Sequence, residues 1–419
     1  MELLLIHQSY PAQFRYLAPA LQQLGWQVRG LGAAPPSHAQ GRRGAEAAAV
    51  ERLNYGWQPP ELPEDLVDPA VETALRRAGA IATCCQDLCE QGYTPDVILI
   101  HSGWGDALYL REIWPRSILV IYPELYASPL LNGFGFDSDL STPSFALRAR
   151  WRRRNLMNLA AIADADAAVV PTHFQLTTFP PHLRSRFHVI HEGVDLQQVG
   201  PHPLRKLQIR PGLVLSKGDP IVSFVSRSLE PLRGFRTFMR ALPSLMQRFP
   251  ALQVVVVGDA SPGYGQPSAH PDGYRGEMLA LLGAQLPLER LHFLGHVPHH
   301  HLLGLFQITS AHVHLSYPYA LSWSLLEAMA CGAVVVGSAN PPISDVIQHG
   351  HNGLLVPFND PEALTGWLTA ILEQPSHFHP LGHAARATVE QRFGLEAAAS
   401  AYHALLRSLL QVPSRPSAP

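Results

Sequence analysis

The sequence predicts an α/β protein with two doubly wound domains, and three observations carry that prediction. Short Val/Ile/Leu-rich runs alternate with longer segments of helical period along most of the chain. The runs fall into two series. A stretch rich in proline and glycine, 201–220, stands between them. Continuous apolar strands separated by helices indicate parallel sheets covered on both faces, and ligands of such sheets gather at the carboxyl ends of the strands.

The first series of strands is read at 3–7, 97–101, 118–122, 167–170 and 188–191. The second is read at 221–225, 253–258, 291–295, 312–316, 333–337 and 353–356. Residues 1–200 thus form an N-terminal domain and 221–383 a C-terminal one. The linker joins them, and a cleft between them is the expected site. The stretch 33–63, rich in Pro, Ala and Gly, reads as an irregular insertion, and 412–419 as a frayed tail. One helix is marked by Phe235, Phe238, Met239, Leu242, Leu245, Met246 and Phe249 on a single face. Pro243 inside it predicts a kink or a break.

The 419 residues suffice for two cores. With 47% hydrophobic and 15% charged residues the chain is globular, and a formal net charge of −2 provides no global field for nucleic acid. The opening MELLLIHQSY holds too short an apolar run for a signal peptide or a membrane span, which places the protein in the cytoplasm. Cys84, Cys85, Cys89 and Cys331 lack the spacing of a metal site and read as reduced thiols. His299, His300 and His301 are consecutive on a helix, point in different directions, and predict no metal site.

Charge placement is more telling than charge balance. The strand at 221–225 leads into its helix through a loop carrying Arg227 and Arg233. Guanidinium groups at a strand end, close to a helix N-terminus with free N–H groups, make an anion site and can grip phosphate oxygens in pairs.

The most specific stretch is SYPYALSWSLLEAMACGAVVVGSANPPISDVIQHGHNGLLVP, residues 316–357. It reads as a strand end, a loop, a helix from about Ser324 to Cys331, a terminating Gly332 and a buried strand. It resembles the nucleotide-binding signature of the retaining glycosyltransferases of GT-B fold, the family-four type or glycosyl transferases group 1. That resemblance covers about the whole C-terminal half and implies two Rossmann-like domains facing a cleft. Glu327 matches the second signature Glu, which in the family accepts hydrogen bonds from the ribose hydroxyls. Ser324 and Glu327 also spell a capping box, and alone that reading would hold. Arg227 matches the diphosphate-binding Arg, and Arg233 with Gly234 stands at the usual Lys-Gly. Tyr319 occupies the first signature Glu, which contacts the transferred sugar, and Ala320, Leu321 and Ser322 replace the Gly-Phe-Gly after it. Backbone N–H groups of Leu321 and Ser322 are expected to face the diphosphate. Val297 completes the donor-side candidates of this half.

The N-terminal half resembles the family more weakly. Ala12 and Gln13 stand where a Gly-rich loop approaches the donor phosphate. His101 ends a strand where relatives carry a His near the reacting sugar, although a strand-end His serves equally well as a structural group. The HEGVD segment at 191–195 resembles the end of the first domain, and a final helix at about 384–410 is expected to return to it. Asp137 with Asp139, and Asp164 with Asp166, spell Asp-x-Asp, a pattern too short to indicate a metal. The arginines at 148–154 spread around a helix and read as a solvated surface, but many relatives act on lipid-linked acceptors, which leaves room for peripheral membrane contact.

The resemblance therefore implies transfer of a hexosyl or related sugar from a nucleoside-diphosphate sugar to a hydroxyl acceptor with retention of configuration. It implies catalytic roles for His101, Arg227 and Arg233, no metal and no cofactor beyond the sugar nucleotide as co-substrate. The acceptor is a saccharide, a lipid-linked molecule or a small molecule, in polysaccharide, glycolipid or other glycoconjugate synthesis. An epimerase or hydrolase on the same scaffold, or a nucleotide-sugar-binding protein without catalysis, would share the donor site. The acceptor dependence of sugar release separates these alternatives.

Overall fold

Seven parallel strands make the first sheet: β1 (Glu2–Ile6), β2 (Gln27–Ala33), β3 (Glu51–Tyr55), β4 (Val97–His101), β5 (Ile118–Tyr122), β6 (Ala167–Val170) and β7 (Phe187–Val189), in the order β3-β2-β1-β4-β5-β6-β7. After a two-stranded antiparallel hairpin, β8 (Lys206–Arg210) and β9 (Leu213–Ser216), six strands make a second parallel sheet. These are β10 (Ile221–Ser228), β11 (Gln253–Asp259), β12 (Leu291–Phe293), β13 (Ala311–His314), β14 (Val335–Ser338) and β15 (Leu354–Val356), in the order β12-β11-β10-β13-β14-β15. The computed structural model describes residues 1–34, 50–63, 66–138, 140–261, 263 and 265–411.

Each sheet is apolar on both faces because alternate residues of each strand point to opposite sides. In β1, Leu3 and Leu5 join one core with Leu99, Phe14 and Tyr402, while Leu4 and Ile6 join another with Ile98 and Ile100. In β10, Val222 and Phe224 pack with Phe235, Phe238 and Leu242, while Ile221 and Val225 pack with Leu325, Leu326 and Met329. Both sheets thus follow the doubly wound plan expected from the sequence.

The chain divides into two units: 1–128 with 143–193 and 395–419, and 129–142 with 194–394. Several boundaries differ from the sequence reading. The stretch taken as a linker holds the β8–β9 hairpin, whose Leu207, Ile209 and Leu215 are buried in the core of the second unit. The helix that returns to the first unit is Leu395–Gln411; Pro375–Arg392 before it belongs to the second. Residues 129–142 also join the second unit, where Tyr317 Oη donates to Asp137 Oδ2 at 2.6 Å and Phe136 packs edge-on to Tyr317.

The stretch 33–63 contains β3, an edge strand whose polar sequence, ERLNY, conceals it from a hydrophobicity reading. β2 was hidden by Gly30 and Gly32, which are small because Tyr10 lies against them: a Cβ on Gly30 would come within 2.0 Å of the ring carbon Tyr10 Cζ, and one on Gly32 within 2.7 Å of Tyr10 Cβ. Helix Phe235–Arg248 runs unbroken through Pro243, held by an apolar face that includes Phe238, Leu242 and Leu245, all fully buried. The tail at 412–419 lies outside the described residues. No helix among the described residues is long and apolar enough to cross a membrane.

Candidate active site

In the second unit the carboxyl ends of β10, β11 and β13 and the segment after β12 surround a cavity of about 280 Å³. Val225, Ser226 and Arg227 come from the end of β10, Arg233 from the turn Pro231–Arg233, and Val257 and Gly258 from β11. Gly295, His296 and Val297 follow β12, His314 and Leu315 end β13, and Ser322 and Ser324 open helix Trp323–Ala330. Strand ends collect these residues because a parallel sheet turns all its carboxyl ends to one edge.

Two glycines let the backbone close up around this cavity. Gly234 has φ +69°, and a Cβ there would lie 2.3 Å from the Leu315 Cβ. Gly258 has φ +151°, and a Cβ there would lie 2.6 Å from the Ser226 carbonyl oxygen. A side chain at either position would push the cavity wall apart.

Arg233 is held from two sides. Its Nη1 donates to Ser316 Oγ at 3.2 Å, and its guanidinium carbon stands 5.3 Å from the centroid of the Tyr319 ring. The aromatic side chain at the family's first Glu position therefore supports the arginine by a cation–π contact. Arg227 is exposed at the rim. His314 is buried, and burial, with His312 and Arg233 adding to it, pushes its imidazole well below the usual His range. A neutral ring thus stands beside the two arginines.

Of the residues named from the sequence, Arg227, Arg233, Val297 and Ser322 line this cavity. Leu321 is buried in the core and lies outside the lining. Tyr319 and Ala320 are partly buried and lie outside the lining. Glu327 is buried, and its Oε1 lies 2.7 Å from His299 Nε2. Helix Trp323–Ala330 begins after Ser322, with no side-chain hydrogen bond at its cap, so Ser324 and Glu327 do not form a capping box. His299, which the sequence offered only within a histidine run, has a specific partner instead. His296, His314 and Gly258 also escaped notice, although the strand-end position of the last two was a usable signal.

Ala12, Gln13 and His101 belong to the first unit. Ala12 begins a short turn, Ala12–Phe14, at φ +38°, a left-handed conformation that suits the glycine of related loops better than an alanine. His101 ends β4 and is buried, with Nε2 3.6 Å from Glu124 Oε2 and its ring 5.0 Å from that of His7 and stacked on Trp104. Glu124, just after β5, also has positive φ, +55°. Residues held in such conformations cluster at functional sites. Asp106 is buried nearby, and desolvation pushes its carboxyl up to about 6, against the pull of Arg77 and His101. Burial, reinforced by His101 and Arg77, holds His7 well below the usual His range.

Two Rossmann-like sheets, one of them edged by an arginine-lined cavity at its strand ends, define a two-domain α/β protein. Comparison with known proteins narrows this class. The model of the glycosyl transferases group 1 matches residues 206–388, and that of the glycosyl transferase family 4 group matches residues 38–199. Residues 206–388 thus match the glycosyl transferases group 1, and the chain has the GT-B fold. The D-inositol 3-phosphate glycosyltransferase of Mycobacterium avium (strain 104) is 31% identical over 219 residues, 51% of this chain and 48% of the relative. That of Corynebacterium jeikeium (strain K411) is 25% identical over 343 residues, 79% and 76% of the two chains. For the first of these the match spans about half the length of the curated relative. Among solved structures, sucrose-phosphate synthase from Thermosynechococcus elongatus superposes with a TM-score of 0.73 at 21% identity, covering 98% of this chain and 99% of that one. Anabaena HepE in complex with UDP-glucose gives 0.67 at 19% identity, covering 97% and 100%.

Proposed function

We propose that the protein is a glycosyltransferase that moves a sugar from a nucleoside diphosphate to a hydroxyl acceptor with retention of anomeric configuration. The observation that carries this reading is the approach of Arg227 and Arg233 to one cavity at the strand ends, where Gly258 and Gly234 keep the backbone close. Two guanidinium groups suit a diphosphate, and Glu327 suits the ribose hydroxyls.

As the glycosidic bond breaks, negative charge builds on the departing diphosphate. Arg227 and Arg233 stabilise that charge more in the transition state than in the ground state, and this difference accelerates the reaction. The attack is a front-side displacement: the acceptor oxygen bonds to the anomeric carbon on the face the diphosphate leaves. A leaving phosphate oxygen takes the acceptor proton. Trapping a covalent glycosyl-enzyme would overturn this route. The neutral His314 in the cavity wall leaves the arginines as the cationic groups facing the diphosphate.

HepE was solved with UDP-glucose, and the curated relatives are named for inositol phosphate acceptors. A uridine nucleotide and a phosphorylated polyol are therefore the first donor and acceptor types to examine. Thermal unfolding with UDP, GDP and ADP tests the donor site. A ligand at about a hundred times its Kd adds about 2.7 kcal/mol of stability. Selective protection that is lost in Glu327→Ala is expected. No protection by any of the three at millimolar concentration would remove the reading.

A further inference from the structure

Glu327 is not an isolated carboxylate awaiting a sugar. It lies on helix Trp323–Ala330, and His299 opens helix His299–Ile308. His299 Nε2 and Glu327 Oε1 are 2.7 Å apart. An ionised carboxylate only accepts hydrogen bonds, so against it the imidazole Nε2 is the donor. The Glu327 side chain is 6% exposed and that of His299 32%, so the pair is open to solvent from the histidine side.

Neither partner is part of the cavity lining already described, but each stands three residues along its helix from one that is. Ser324 lines it and lies three residues before Glu327, while Leu302 lines it and lies three residues after His299. Residues three apart on a helix share a face, so His299 and Glu327 lie on the faces the two helices turn to the cavity. Val297, two residues before His299, lines it as well.

We infer that His299 is the positioning residue of the donor site: it occupies Oε1 of Glu327 and leaves Oε2 as the one oxygen that reads the ribose. This rests on the proposal that the cavity takes a nucleoside diphosphate. A carboxylate free at both oxygens could serve the 2′- and 3′-hydroxyls alike. One fixed by the imidazole presents Oε2 in a set direction, closer to one hydroxyl than to the other, and its rotamer is set before the ligand arrives, which lowers the cost of binding.

Calorimetric titration of the full chain with UDP, 2′-deoxy-UDP and 3′-deoxy-UDP tests the inference. On the wild-type protein, one deoxy analogue is expected to lose roughly tenfold to a hundredfold in affinity, as for a hydrogen bond to a charged group, while the other stays within about threefold of UDP. In His299→Ala the carboxylate is released and the ratio between the analogues collapses towards one. In His299→Gln, whose amide can donate to the same oxygen, the ratio is retained. Melting of each unliganded variant checks the fold. If His299→Ala does not fold, the wild-type and His299→Gln titrations decide alone. Equal losses for both analogues on the wild-type protein would overturn the inference, as would an unchanged ratio in folded His299→Ala. Both results leave the donor site standing. Failure of UDP, GDP and ADP alike to bind the wild-type protein would overturn the donor-site reading and the inference together.

Discussion

At the strand ends of the second unit, charge is gathered in one place and supported. Arg233 has a hydroxyl and an aromatic ring behind it, Glu327 has His299, and glycines bring the backbone in close. The strand ends of the first unit are built differently. His7, His101 and Asp106 are buried side by side with Arg77, the His101 Nδ1 finds no hydrogen-bond partner among the described residues, and Ala12 and Glu124 sit in left-handed conformations. The arrangement in the second unit suits the proposed role of a pre-formed receptor for a diphosphate. The first is a set of costly polar groups and strained residues, the condition expected of a surface that is completed by a reacting ligand.

The largest effect expected from this contrast is on ligand affinity. Arg227→Ala and Arg233→Ala each remove a charge-assisted contact, expected to cost roughly tenfold to a hundredfold or more in UDP affinity by calorimetry. His101→Asn is expected to leave UDP affinity within about threefold and to reduce sugar transfer instead. A His101→Asn protein that loses UDP as severely as the arginine variants would break the contrast, because the first unit would then be part of the diphosphate receptor.

Stability against pH separates the two units next. In the second unit burial lowers the His312 pKa to about 3, and His314 is also held well below its ordinary value. A base whose folded pKa lies below the unfolded value of about 6.5 contributes stability that is full above that value and lost as pH falls through it. In the first unit His7 and His191 act in the same direction, but Asp106 opposes them. Its carboxyl is raised from 3.8 to about 6, so the stability it permits is full below the unfolded value and is lost as pH rises through 6. Acidification from pH 7 to 4 is therefore expected to lower the melting of the second unit more, by an amount on the order of 3 kcal/mol from His312. His312→Gln flattens that slope, and Asp106→Asn steepens that of the first unit. Parallel slopes for wild-type protein and His312→Gln in differential scanning calorimetry would sink the assignment.

The same contrast explains what could be read from the sequence. Arg227, Arg233 and Ser322, which line the cavity, could be singled out because they lie in two short runs, 227–234 and 316–332, whose order survives as a pattern. Every strand of the two parallel sheets with a continuous apolar run was legible too, whereas the Leu-Val-Leu run of β9 was hidden in a stretch rich in proline and glycine. The environment of His101 was not: His7, Asp106 and Glu124 come from separate strand ends and loops, and only the sheet order brings them together. Glu327 was found but not its partner, since twenty-eight positions separate it from His299. β2 and β3 were missed because two glycines and an exposed polar edge imitate a loop, and the reason for those glycines, the close approach of Tyr10, lies elsewhere in the chain.

A smaller effect, on stability alone, sharpens the comparison through two glycines that are tight for different reasons. At Gly30 the obstacle is the end of a side chain, the Tyr10 ring; at Gly258 it is the Ser226 backbone carbonyl, at a φ of +151°. Each Gly→Ala change is expected to cost about 1–3 kcal/mol, by overpacking in one case and by backbone strain in the other. Only the first is open to rescue. Tyr10→Leu removes the ring, so Gly30→Ala costs much less in that background, whereas trimming Leu229, the next neighbour of Gly258, leaves the carbonyl in place. A double-mutant cycle followed by thermal melting measures both interaction energies, and for units of this size each kcal/mol moves the midpoint by about 2–4 °C. Rescue of Gly258→Ala by Leu229→Ala would show that the cavity wall yields through its side chains, and a donor pocket that yields in this way would not be the rigid half of the pair.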